Sequence, residues 1–194
     1  MRRRTFDILT STAGLILVVL LGVAGGLMLW AHNYIHDQVG QELSAQQIVF
    51  PPANSPAIAA PEFQGMHRYA GQQLTTGPQA HVYANDFINN HLKTIGGGKT
   101  YAQLSTQAMA NPGDAKLAQT VETMFKGETL RGLLLSASAF WTVGTIAGYG
   151  AIAAFVGAAL LLILAILGFV HSTRVRSAEE VLPPHAREHA SALA

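Results

Sequence analysis

Two long stretches without one charged residue or histidine, Ile8 to Ala31 and Leu133 to Val170, bracket a polar middle, and they constrain this chain more than any other feature. A helix needs roughly 20 predominantly apolar residues to cross the hydrocarbon core of a bilayer, and each stretch exceeds that. The reading is an integral membrane protein with two transmembrane helices. Arg2, Arg3 and Arg4 precede the first stretch and His171, Arg174 and Arg176 follow the second, while Ala31 to His67 contains no Lys or Arg. Basic residues mark the cytoplasmic flank, so both termini are expected inside and the middle on the far side.

The two stretches are unequal. As one helix, Leu133 to Val170 would extend roughly 57 Å at 1.5 Å per residue, beyond one bilayer thickness. The expectation is a span over 150–170 preceded by an interfacial or exposed apolar helix over 133–149, with Gly144, Gly148 and Gly150 permitting a kink. A hairpin at Gly148-Tyr149-Gly150 would place the C-terminal arginines outside, against the charge rule. A cleaved signal peptide is disfavoured by the length of the first stretch and by the lack of a small-x-small site after it. The resulting organisation is a basic N-terminus over 1–7, a first span over 8–31, an extracytoplasmic helical domain over 32–132, the apolar helix over 133–149, the second span over 150–170 and a disordered cytoplasmic tail over 171–194.

The middle reads as helical with breaks, giving an all-α fold of two transmembrane helices flanking a small helical extracytoplasmic domain. The first helix is expected to run outward through Asn33 to Gln47. Pro51, Pro52, Asn54, Pro56 and Pro61 then form an extended linker, followed by a short segment over Phe63 to Leu74. Gln79 to Ile95 has helical apolar spacing and stops at Gly96-Gly97-Gly98; Thr100 to Ala110 follows. Asp114 to Lys126 carries an apolar stripe of Leu117, Val121, Met124 and Phe125 behind a capping Asp114. No alternating β-branched run supports a strand.

Composition narrows the chemistry. The chain has no cysteine, which removes disulfides, thiolate metal sites and cysteine nucleophiles. With a formal net charge of +1 and no basic patch, nothing points to nucleic acid. Gly97-Gly98-Lys99-Thr100 has the ending of a phosphate-binding loop, yet Lys93 stands where its first glycine belongs and no strand precedes it. His32 and His36 are four apart beside Asp37, a spacing that could face one ion. With Trp30 and Tyr34 they equally suit the outer end of a membrane helix, where amphipathic rings sit at headgroup level. His185 and His189 repeat the spacing in the tail, and His67, His81 and His91 form no ligand motif. Acid pairs such as Glu179 with Glu180 and Glu122 with Glu128 read as solvated helix charges. No metal, no cofactor and no catalytic residue is assigned.

Small residues within the spans carry the more specific signal. Gly22 and Gly26 form a Gly-x-x-x-Gly pair; Ala153, Ala154, Gly157 and Ala158 offer small surfaces in the second span. Counted from the cytoplasmic ends, Gly22 is level with Gly157 and Gly26 with Ala153 or Ala154. These positions are expected to pack the two helices of one chain together or to receive a partner helix. Leu117, Val121, Met124 and Phe125, with Phe140 and Trp141 on the apolar helix, are the expected partner surface.

The strings Gln46-Gln47-Ile48-Val49-Phe50-Pro51-Pro52, Tyr69-Ala70-Gly71-Gln72-Gln73-Leu74-Thr75-Thr76-Gly77, Gly97-Gly98-Lys99-Thr100-Tyr101 and Gly127-Glu128-Thr129-Leu130-Arg131-Gly132-Leu133-Leu134-Leu135 bear a family likeness. Over nearly all but its tail, the chain resembles small actinobacterial two-helix membrane proteins of unknown function. Some of these are labelled aromatic ring-opening dioxygenases; such enzymes need clustered His and Glu ligands for iron, and no such set aligns here. The resemblance implies a plasma membrane of Gram-positive type and supplies no activity. The expected function is therefore a non-enzymatic accessory or scaffold protein of a larger envelope complex, such as a transporter or respiratory assembly. The partners are the bilayer and another membrane protein, with homo-oligomerisation left open. The alternatives are an extracytoplasmic ligand or lipid sensor and a metal-dependent enzyme.

Overall fold

The computed structural model describes residues 3–174; Arg2, Arg176, Glu179, Glu180, His185 and His189 lie outside that range, and of the tail expected to be disordered over 171–194 only 171–174 are described, where the last helix continues instead. Helices account for most of the chain. The helix α1 spans Arg3–Ala45, two 3-10 turns cover Pro56–Ile58 and Pro61–Tyr69, α2 spans Gly77–Val82, and a π-helical turn over Tyr83–Ile88 joins it to α3, Asn89–Ile95. Then α4 covers Tyr101–Ala110 and α5 covers Ala115–Arg174. Among the described residues there is no strand, only an isolated bridge between Val49 and Gln73.

Local chemistry explains the boundaries. Thr76 caps α2 with its side chain, Gln79 reaches back to the Thr76 amide, and Pro78 sits in the first turn where no donor is needed. Thr100 and Gln103 repeat the capping box at α4. At the end of α3, Gly97 and Gly98 take φ values of 58° and 78°, and the Gly98 amide donates to Lys93 O. Asp114 Oδ1 accepts from the Leu117 amide at 2.9 Å and starts α5.

The second apolar stretch differs from expectation. The helix α5 runs 60 residues without a break, so the separate helix over 133–149 and the helix end at Lys126 are not seen; the hairpin at 148–150, disfavoured from sequence, is absent too. Gly144, Gly148 and Gly150 stay helical although Thr142, Val143, Thr145 and Ile146 around them are only middling helix formers, since each glycine costs only about 1 kcal/mol in a helix this long. Contacts divide the chain into one unit of residues up to 30 with those from 148, and a second unit of residues 31–147. The 133–147 stretch therefore belongs to the second unit.

In the first unit, α1 and α5 pack antiparallel through small side chains. A Cβ added at Gly14 would stand 3.6 Å from Ala165 Cβ, one at Gly157 would stand 3.6 Å from Leu21 Cδ1, and one at Gly25 would press on the Phe155 ring at 3.0 Å. On α5, Ala151, Ala158, Ala165 and Ser172 are buried at strict seven-residue intervals. On α1, Ser11, Gly14, Val18, Leu21 and Gly25 alternate three and four apart along the seam. This is the period of a left-handed coiled coil, built with residues small enough for close approach.

The second unit has an ordinary core. Phe50, Ile58, Met66, Leu74 and Met124 are its largest fully enclosed side chains. The proline-rich linker is thus no loose connection: its two 3-10 turns deliver Ile58 and Met66 to the interior. Backbone bonds from Phe50 N to Gln72 O and from Leu74 N to Ile48 O fasten its two ends together.

Candidate functional site

Three places gather the residues that sequence singled out: the seam of the first unit, a histidine clamp and an outer polar cluster in the second. At the seam, the axial register agrees with expectation, since Gly157 lies opposite Leu21 and Gly150 opposite Met28. The facing does not. A Cβ at Gly22 or Gly26 would meet nothing within 4 Å, and Ala153 is exposed, whereas Ala158 is buried and Ala154 and Gly157 are half-buried. One residue is about 100° of helix rotation, enough to move Gly26 off the seam that Gly25 occupies.

The histidine pair on α1 is tied to α5 within the second unit. His32 Nδ1–H donates to Gly144 O at 2.8 Å, and His36 Nε2–H donates to Trp141 O at 3.2 Å. The His36 ring stacks on the Trp141 indole at 4.0 Å and 9°, and Thr145 Oγ1 lies 3.2 Å from His36 Nε2. A carbonyl can only accept, so these bonds fix a proton on His32 Nδ1 and on His36 Nε2. One nitrogen of each ring is thereby committed to cross-linking helices rather than to an ion. Among the described residues, no three or more His, Asp or Glu side chains are placed to hold a metal. Trp141 also covers Gly77, where a Cβ would overlap its own Cβ.

Most of the expected partner surface faces inward. Met124 is buried, while Leu117 and Val121 pack on the same core. The stripe lies against the end of α3 and the start of α4, where Met124 Cε stands by Gly96 and the Tyr101 ring is 5.7 Å from Phe125, so three of its four residues are taken up inside the unit. Only Phe125 and Phe140 stay exposed, at 55% and 63%.

The glycine-rich loop has no amide to spare. Gly97 N donates to Thr94 O, Lys99 N to Gly96 O, and Thr100 N to Gln103 Oε1, so the backbone that would cradle a phosphate is already paired. The remaining histidines are spent singly: His67 Nε2 donates to Ile58 O at 3.0 Å, His91 Nδ1 donates to Phe87 O at 2.8 Å, and the Asn85 amide donates to His81 Nε2 at 3.2 Å. They do not converge on one pocket.

Sequence reasoning missed the π-helical turn. The Asn89 amide reaches back five residues to Ala84 O, which inserts an extra residue into the turn. That turn brings Asn85 Oδ1 within 3.2 Å of Arg131 Nη2, while Arg131 Nη1 donates to Glu128 Oε2 at 3.2 Å. Arg131 Nε is enclosed without a partner among the described residues. No sequence signal announces a π turn, though Asn85 and Arg131 were both visible as polar residues beside apolar runs. In the same turn Tyr83 sits edge-on to Phe50 at 5.3 Å, and burial raises its phenol above the ordinary value of 10.0. Lys126, 2.6 Å from Glu122, holds that exposed carboxyl below its usual range through a hydrogen bond and its charge.

No protein-family model, curated protein or solved structure matches this chain.

Proposed function

We propose that this chain is a membrane-anchored accessory protein whose two long helices present a small-residue face to a helix of a larger envelope complex. The observation that carries this reading is the open Gly22–Gly26 face. The seam is packed through Gly14, Leu21 and Gly25, so a Gly-x-x-x-Gly pair stands on α1 with nothing within reach of either Cβ. Small residues in a membrane helix let another backbone approach closely, and this face is not used inside the chain.

Two further observations support the membrane setting. Both α1 and α5 are long and apolar enough to cross a bilayer, and only 6% and 11% of their most apolar windows are buried. Core helices of a water-soluble protein hide such surface, whereas here Leu20, Val23, Leu27, Leu160 and Leu164 point outward. The basic flanks favour both termini in the cytoplasm and the 31–147 unit outside, and the family likeness implies that the membrane is the plasma membrane.

The test is affinity purification of the tagged chain from its native membrane in mild detergent, with Gly22→Leu/Gly26→Leu beside it. A stoichiometric membrane complex that co-purifies with the unmodified chain and is lost from the variant is the expected result. An unmodified chain that emerges alone overturns the accessory reading. A groove in the second unit favours a second reading, a lipid sensor, through the site described next.

A further inference from the structure

In the second unit, α1 and α5 leave between them an open groove of about 290 Å³. Its floor is Leu43 and Leu134, both buried, and one rim carries Leu130 and Leu133, exposed at 39% and 64%. The other rim is polar: Gln38 and Glu42 on α1 and Gln46 just past its end follow one another at four-residue intervals, with Gln38 Nε2 donating to Glu42 Oε1 at 3.1 Å. From this groove we infer that the unit binds one acyl chain of a phospholipid drawn from the surrounding bilayer, an inference that rests on the membrane setting proposed above.

Charge decides between occupants. A partner helix is roughly 10 Å wide with its side chains and would cover both rims, taking the Glu42 carboxylate out of water. Burying an unpaired carboxylate is strongly unfavourable; on the facing wall Arg131 is already held by Glu128 and Asn85, so a partner helix without its own Lys or Arg at this height would leave Glu42 unneutralised. A second copy inserted in the same orientation would bring its own Glu42 to the same height, acid beside acid. An extended hydrocarbon chain is much narrower than a helix; it covers the exposed Leu130 and Leu133 and leaves Glu42 and its bond to Gln38 solvated. The volume agrees. It is about twice the ~150 Å³ of an apolar cavity that takes up benzene, room for roughly a dozen carbons.

The position agrees as well. Gln38 is seven residues beyond Ala31 on one helix, roughly 10 Å, so the groove opens a few Å past a headgroup layer of about 5–7 Å. Toward residue 147, α5 exposes Phe140, Val143 and Ile146, an apolar edge along which a chain stays out of water as it reaches the groove. Moving a chain from bilayer to groove exchanges one apolar setting for another, so the gain comes from covering leucines that are otherwise wet.

The experiment uses the full chain in phosphatidylcholine vesicles whose acyl chains are brominated at mid-chain, because bromine quenches a nearby indole. Three single-tryptophan proteins are compared: native Trp30 with Trp141→Phe, and Leu133→Trp or Gln41→Trp in a Trp30→Phe/Trp141→Phe background. Gln41 is exposed on α1 within the stretch that forms the groove, but it does not line the groove. Emission from Trp30 and Leu133→Trp is expected to fall to about half of that in unbrominated vesicles, with Gln41→Trp unchanged. Equal quenching of all three means that this height is immersed in the bilayer and overturns the groove. Quenching of Trp30 alone also overturns it while the membrane reading stands; an unquenched Trp30 sinks the membrane reading itself. Should the Trp141→Phe background fail to fold, native mass spectrometry of the unmodified chain released from lipid nanodiscs decides. One retained phospholipid that is lost in Ala137→Phe supports the inference, and equal lipid on both overturns it.

Discussion

The two units of this molecule solve the packing problem in opposite ways. In the unit of residues up to 30 and from 148, every buried residue among those described is small: Ser11, Gly25, Ala151, Ala158, Ala165 and Ser172. In the 31–147 unit, the enclosed side chains include Phe50, Ile58, Met66, Leu74 and Met124. Burying a large apolar group is rewarded only when the alternative is water. Where the alternative is lipid, leucine gains nothing by turning inward, and close backbone approach becomes the available source of attraction. The contrast is the one that lipid around the first unit and water around the second would produce, and it supports the membrane setting proposed above from packing alone.

The comparison is broken most directly by making each unit pack like the other. Met124→Ala removes a fully enclosed side chain from the second unit and should destabilise it by about 2–5 kcal/mol. Circular dichroism melts of the detergent-solubilised chain check this. Leu20→Ala, a larger-to-smaller change at an exposed position of the first unit, should shift the same melts by less than about 0.5 kcal/mol. Equal effects would mean that the first unit has a conventional core. The converse change is Gly25→Leu, which drives a side chain into the Phe155 ring and should cost about 1–3 kcal/mol. The readout is a cysteine pair introduced at Gly14 and Ala165, whose disulfide yield reports seam closure in a chain without native cysteines. An undiminished yield would sink the small-residue account.

How legible this was depended on the kind of signal. The long apolar runs, the helix over Thr100 to Ala110, the capping Asp114 and the glycine stop after Ile95 are local features, and the structure bears each out. The axial register of the seam was also readable, because counting residues from two flanks needs no tertiary knowledge. Its rotational setting was missed. Gly22 and Gly26 drew attention as a motif, while the informative pattern was a seven-residue row of Ala151, Ala158, Ala165 and Ser172 that sequence shows plainly once the period is sought. The stripe Leu117, Val121 and Met124 was recognised as apolar and assigned to a partner; amphipathic spacing says that a face is covered, never by what. The π turn and the groove lay beyond sequence, since both arise from which segments meet.

The smallest effect sharpens the comparison from the polar side. The second unit is the one that burying a titratable group can perturb, and Tyr83 is its clearest case. Its phenol pKa is raised above 10.0 by burial, beside Phe50 and Phe87. A folded-state value above the unfolded one means that the folded chain holds the proton more tightly. The contribution is therefore complete below the ordinary tyrosine range and is lost as pH climbs through it toward the raised value. Tyr83→Phe keeps the ring contacts and removes the ionisation. Melts of the unmodified chain should weaken more steeply than those of Tyr83→Phe above about pH 10, and the two should run parallel near neutrality. Parallel curves throughout would show that water reaches the phenol, and that the aromatic chain from Phe50 to Phe87 is wetter than its geometry requires.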